Sequence, residues 1–127
     1  MLIAEDNPVN QRVIEALLSK RGFRTVTASD GREALDLIDH GEWAGVLMDC
    51  SMPRMDGYET TAEIRRREGP DTHLPIVAMT AHAMEGDRER CLAAGMDDYL
   101  MKPVRGTALD AVLERWLVQA ALAPGPR

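Results

Sequence analysis

Apolar residues follow two rhythms along this chain. Short apolar runs occur at Leu2–Ala4, Thr25–Ala28, Gly45–Met48, Ile76–Met79 and Asp98–Leu100. Between them lie longer segments in which apolar positions recur every three or four residues. The middle runs are nearly continuous rather than alternating, as expected of parallel strands covered on both faces. The longer segments predict helices over Pro8–Lys20, Gly31–His40, Gly57 to just before Gly69, Met84–Ala93 and Arg105–Ala121. Their ends carry suitable chemistry. Asn7 can cap the first helix, and Pro8 suits its first position because a missing N–H costs nothing there. Asp30 and Glu33 have capping-box spacing. Gly22 and Gly95 stop the helices that precede them.

Strand and helix therefore alternate five times. This predicts the α/β class: a five-stranded parallel sheet with right-handed crossovers and helices on both faces. The flavodoxin-like strand order 2-1-3-4-5 is the common solution for five such units. A length of 127 residues suits one core and is too short for two. We expect one domain over residues 1–122. Residues 123–127, Ala-Pro-Gly-Pro-Arg, read as a linker stub. The chain opens directly on a strand, as expected of a domain within a longer polypeptide.

Composition narrows the role. A formal net charge of -6 argues against a surface that coats nucleic acid. The basic clusters Arg65–Arg67 and Arg88/Arg90 read as solvated helix faces. Cys50 and Cys91 read as buried small hydrophobes in a reducing compartment rather than as a disulfide framework. No run is long and apolar enough to span a bilayer, and nothing resembles a signal peptide. A cytoplasmic setting without direct membrane contact is the expectation, even where a parent polypeptide is membrane-anchored.

Ligands of such sheets bind beyond the carboxyl ends of the strands. The residues predicted there are Glu5 and Asp6 after the first strand, Asp49 after the third, Thr80 after the fourth and Lys102 after the fifth. Three carboxylates in one crevice repel unless something offsets them. Magnesium, or manganese in its place, would do so, with Glu5, Asp6, Asp49 and the Ser51 backbone carbonyl as oxygen ligands. Lys102 would supply a fixed positive charge, and the Thr80 hydroxyl a hydrogen bond to an incoming oxygen. The chemistry that fits is phosphoryl transfer to the Asp49 carboxylate, followed by slow hydrolysis of the acyl phosphate. The rival enzyme reading, an aspartate-nucleophile phosphatase, lacks room for a substrate cap. Dinucleotide binding lacks the glycine motif after the first strand.

Four blocks make the chain similar to a known family. They are Ala4–Gln11 (AEDNPVNQ), Met48–Gly57 (MDCSMPRMDG), Pro75–Ala83 (PIVAMTAHA) and Gly95–Pro103 (GMDDYLMKP). In this order and spacing they resemble response-regulator receiver domains, most closely those of hybrid sensor histidine kinases. The resemblance implies phosphorylation of Asp49 by a phosphohistidine, on a histidine kinase or a histidine phosphotransfer domain, within a two-component phosphorelay. It implies that Glu5 and Asp6 hold magnesium, that Thr80 and Lys102 follow the phosphoryl group, and that the Lys102–Pro103 bond is cis. Tyr99 matches the aromatic switch position. Ser51 and His82 match positions that tune phosphoryl lifetime. A change at the face of helix four, strand five and helix five would follow, with dimerisation on activation through that face. Turnover of a separate small molecule is not implied. A degenerate receiver without phosphorylation is the non-enzymatic alternative, and the intact Glu5, Asp6, Asp49, Thr80 and Lys102 argue against it.

Overall fold

The computed structural model describes residues 1–81 and 86–118. His82 and the 123–127 stub lie outside the described residues. Five strands, β1 (Leu2–Ala4), β2 (Val26–Ala28), β3 (Val46–Asp49), β4 (Ile76–Thr80) and β5 (Asp98–Met101), form one sheet. Every pairing is parallel and the order is 2-1-3-4-5. The helices are α1 (Pro8–Ser19), α2 (Gly31–Asp39), α3 (Gly57–Arg67), α4 (Asp87–Ala94) and α5 (Gly106–Leu113).

Alternation along the strands splits the core in two. Leu2, Ala4, Val46, Met48, Ile76 and Ala78 pack with Ala34 and Leu35 of α2, Ile64 of α3 and Cys91 of α4. Ile3, Leu47, Val77, Met79 and Leu100 pack on the other face, with Ile14 and Leu18 of α1 and Leu109, Val112 and Leu113 of α5. Burial on both faces is why the central strands lack a polar alternation.

The helix starts are held as their caps require. Asn7 Oδ1 accepts from the Val9 and Asn10 backbone N–H groups, and Asp30 accepts from Glu33 N–H. The full reciprocal capping box is found at α3, where Asp56 and Glu59 exchange bonds. The C-cap of α4 is Gly95, at φ +106. A β-carbon there would meet the Arg65 side chain at 2.8 Å.

Two expectations change. Arg65 is not on a solvated face. Its guanidinium turns inward, donates to the carbonyls of Gly95 and Leu74, and pairs with Glu68 and Asp97. Arg66 and Arg67 do stay outside, on Glu63 and Asp39. The last helix is not uniform: α5 gives way to a π-helical turn over Glu114–Val118. That turn brings Arg115 and the Trp116 indole N–H together on the Asp98 carboxylate. Helix α4 starts at Asp87 with Gly86 as its N-cap, and the expected start, Met84, lies outside the described residues. Cys50 and Cys91 are buried free thiols, as expected.

Candidate functional site

Each predicted site residue that the structure describes stands at the carboxyl rim of the sheet, apart from Tyr99. Asp49 is the last residue of β3 and Thr80 the last of β4. Glu5 and Asp6 follow β1 directly, and Lys102 follows β5 directly. Parallel register makes these strand ends neighbours: Asp49 is level with Met79, and Thr80 with Met101.

The charges meet closely. Lys102 Nζ lies 2.8 Å from Asp49 Oδ2 and 3.0 Å from Glu5 Oε1. Asp49 Oδ1 accepts from the Ser51 backbone N–H at 3.1 Å. One carboxylate oxygen each from Glu5, Asp6 and Asp49 fall within 4.8 Å of one another. Glu5 is 0% exposed and Asp49 3%, whereas Asp6 faces solvent. Burial, then the neighbouring Asp49 carboxylate, push Glu5 up to about 7, against the pull of Lys102 and Asn10. Burial works to lower the Lys102 pKa, but its bonds to Asp49 and Glu5 outweigh that and hold it above the usual lysine value.

Glu5 also tests whether a hard cation fits. Both of its carboxylate oxygens are shielded from solvent and lack a well-formed hydrogen bond. Lys102 touches one of them as an ion pair. Shielded oxygens with so little hydrogen bonding, beside a solvent-facing Asp6, match a cation that keeps some of its water. The acidic cluster fits magnesium.

The local chain is built to hold Asp49 still. Gly57 opens α3 against the end of β3, and its N–H donates to Cys50 O. A β-carbon on Gly57 would lie 2.3 Å from the Asp49 carbonyl oxygen, so only glycine permits the approach. The Lys102–Pro103 peptide is cis, as the resemblance implied. Thr80 is buried and lines the crevice, and Ser51 lines it at the surface. Tyr99 stands partly exposed on the edge strand β5, beside a separate small cavity with Leu92 and Trp116.

The crevice is a cavity of about 660 Å³. Several of its walls were not legible in the sequence. Tyr58 from α3 and Asp87 and Arg90 from α4 line it, and the Arg90 guanidinium lies 4.1 Å over the Tyr58 ring. Arg90 keeps the exposure expected of a solvated face and also lines the crevice. Its place depends on how α3 packs against α4, which no local spacing reveals.

Comparison with known proteins agrees with this geometry. The family profile described as "Response regulator receiver domain" matches residues 1–114. The "Hybrid signal transduction histidine kinase I" of Dictyostelium discoideum is 44% identical over 119 residues, covering 89% of this chain and 7% of that protein. The sensor histidine kinase GacS of Pseudomonas protegens is 40% identical over 128 residues, covering 99% of this chain and 14% of that protein. The chain thus spans a small part of these relatives.

Among solved structures, one similar chain is the receiver domain of a Pseudomonas aeruginosa sensor histidine kinase, with magnesium coordinated in its active-site cleft. It is 47% identical with a TM-score of 0.83, over 92% of this chain and 95% of that one. Another is the receiver domain of Saccharomyces cerevisiae Ssk1, solved with the histidine phosphotransfer protein Ypd1. It is 31% identical with a TM-score of 0.87, over 95% of this chain and 90% of that one. Sheet order, the acidic crevice with its lysine, and the match over most of the sequence lead to one conclusion: the chain belongs to the response regulator receiver domain family.

Proposed function

We propose that this chain accepts a phosphoryl group from a phosphohistidine onto Asp49, and that the resulting acyl phosphate alters partner contacts or is passed on. The observation that carries this reading is the Lys102 ammonium 2.8 Å from Asp49 Oδ2, in a rim shared with Glu5 and Asp6. Glu5, Asp6, Asp49 and the Ser51 carbonyl are the residues that would hold magnesium. Bound there, the ion supplies positive charge for the equatorial oxygens of the transferring group.

An Asp49 oxygen forms the new bond to phosphorus as the phosphorus–nitrogen bond to the donor imidazole breaks. Lys102 stays paired to the acceptor side and offsets the charge that arrives, and the Thr80 hydroxyl turns to a phosphoryl oxygen. Water later cleaves the acyl phosphate, releasing inorganic phosphate and regenerating Asp49. Ser51 lies beside that path, as His82 would. Turnover of a separate small substrate is not part of this reading.

Two surfaces support the partner assignment. Val9 on α1 is 67% exposed, and Val13 is exposed with it, while Asn10 and Val13 border Lys102, Pro103 and Val104. An apolar helix face next to the crevice suits a helical bundle carrying the donor histidine. Leu92, Tyr99 and Met101 are exposed around α4 and β5, where inward rotation of Tyr99 would change the surface and permit dimerisation. The domain is taken to run over residues 1–122, within a cytoplasmic part of a hybrid histidine kinase. No helix among the described residues is long and apolar enough to cross a membrane.

The test is transfer from a histidine phosphotransfer domain radiolabelled on its histidine. Label should move to this chain, be released by hydroxylamine as an acyl phosphate is, and fail to appear on Asp49→Asn. Label on the folded Asp49→Asn variant equal to wild type would contradict the assignment.

A further inference from the structure

The crevice is strongly acidic. Glu5, Asp6, Asp49, Asp56 and Asp87 all line it, and Lys102 and Arg90 are the two cationic side chains among its described walls. Lys102 is already engaged with Asp49 and Glu5. Arg90 is placed differently. It is exposed on α4, and no carboxylate among the described residues forms an ion pair with it. Its guanidinium stacks on the face of Tyr58. Tyr58 in turn packs against the buried cluster that contains Cys50, the residue that follows Asp49.

A stacked guanidinium keeps its in-plane N–H edges free, the geometry that binds phosphate oxygens bidentately. The platform beneath it is tied to the end of β3. A phosphodonor approaches this cavity as an anion and meets five carboxylates. Its approach is unfavourable unless a mobile cation and a fixed one offset them.

The geometry points to Arg90 as a phosphodonor-binding residue: stacked on Tyr58, it captures the anionic oxygens of the incoming phosphoryl group before transfer to Asp49. This rests on the phosphoacceptor reading and assigns it a residue that the four sequence blocks do not contain. Arg90 acts on encounter and binding. The bond changes remain those at Asp49, and no proton moves through Arg90.

The test follows Asp49 phosphorylation in the presence of magnesium, with acetyl phosphate and with phosphoramidate, which carries less negative charge at neutral pH. With acetyl phosphate at low salt, Arg90→Ala should lower the rate at subsaturating donor about five- to tenfold. Arg90→Lys should recover part of the loss, and Tyr58→Leu, which keeps the charge but removes the platform, should lose part of the rate. The effect should shrink with phosphoramidate, and nearly vanish at roughly 0.5 M salt, where exposed charges are screened within a few ångströms. Thermal unfolding should not move, because Arg90 is exposed.

A wild-type rate for Arg90→Ala at low salt would overturn the inference. So would a loss of equal size with both donors and at all salt concentrations, since that marks a structural role. If the wild-type protein itself takes no phosphoryl group on Asp49, the underlying reading fails and this one with it. If wild type is phosphorylated and Arg90→Ala matches it, only the role of Arg90 fails.

Discussion

Replacing Lys102 with methionine is expected to destabilise the metal-free protein by about 3–5 kcal/mol near neutral pH. Methionine keeps much of the stem's bulk but leaves Glu5 and Asp49 buried without their shared counter-charge. Removing one partner of a buried ionic cluster costs more than the cluster contributes, because the survivors cannot regain water. The pH dependence follows from Glu5, whose carboxyl sits at about 7 in the folded protein against an ordinary value of 4.5.

A carboxyl with a raised pKa binds its proton more tightly folded than unfolded. Its contribution therefore favours the fold as pH falls through about 7 towards 4.5, and opposes it above that window. Loss of Lys102 raises this pKa further. The deficit of Lys102→Met should accordingly shrink at mildly acidic pH, and shrink again when magnesium is added at neutral pH. Urea unfolding across that range, with and without magnesium, measures both. A deficit independent of pH and metal would mean that Lys102 stabilises by packing alone. The same variant should take a phosphoryl group about 10²-fold more slowly, the usual cost of one lost electrostatic contact to a transition state.

Gly57→Ala should cost about 3 kcal/mol or more, the upper end for overpacking. The added carbon would fall 2.3 Å from the Asp49 carbonyl oxygen and 3.0 Å from the Cys50 Cα. Both obstacles are backbone, so no side-chain rotation relieves them. The structure can respond only by moving the end of β3, and with it the acceptor carboxylate. Asp49 phosphorylation should therefore fall even at temperatures where the variant stays folded. Gly69→Ala is the control, since a β-carbon there meets nothing within 4 Å. Denaturant midpoints that are unchanged in Gly57→Ala would show that α3 can retreat from β3.

The parts that sequence exposes are those set by local rules. Continuous apolar runs identify β1, β3 and β4 because those strands are buried on both faces. Asn7 and Asp30 announce helix starts because each caps a backbone only two or three residues away. Glu5, Asp6, Asp49, Thr80 and Lys102 are legible because parallel topology sends every strand's carboxyl end to one rim.

What stayed hidden depends on packing between distant segments. Arg65 and Arg66 are adjacent and look alike, yet one is enclosed by Gly95, Leu74 and Asp97 and the other is solvated. Arg54 adopts a positive φ and reaches back to Asp30 at the start of α2, 24 residues earlier. Tyr58 and Arg90 meet only because α3 and α4 pack side by side.

The central claim is that a buried carboxylate, an ammonium group and two further acids form one phosphoacceptor rim. Mass spectrometry of the intact chain after incubation with acetyl phosphate, followed by peptide mapping, tests it most directly. The account predicts a single added phosphoryl group on Asp49 that requires magnesium, disappears in Asp49→Asn, and is greatly reduced in Asp6→Asn. Phosphorylation elsewhere, or labelling of Asp49 to the same extent when magnesium is chelated, would contradict it.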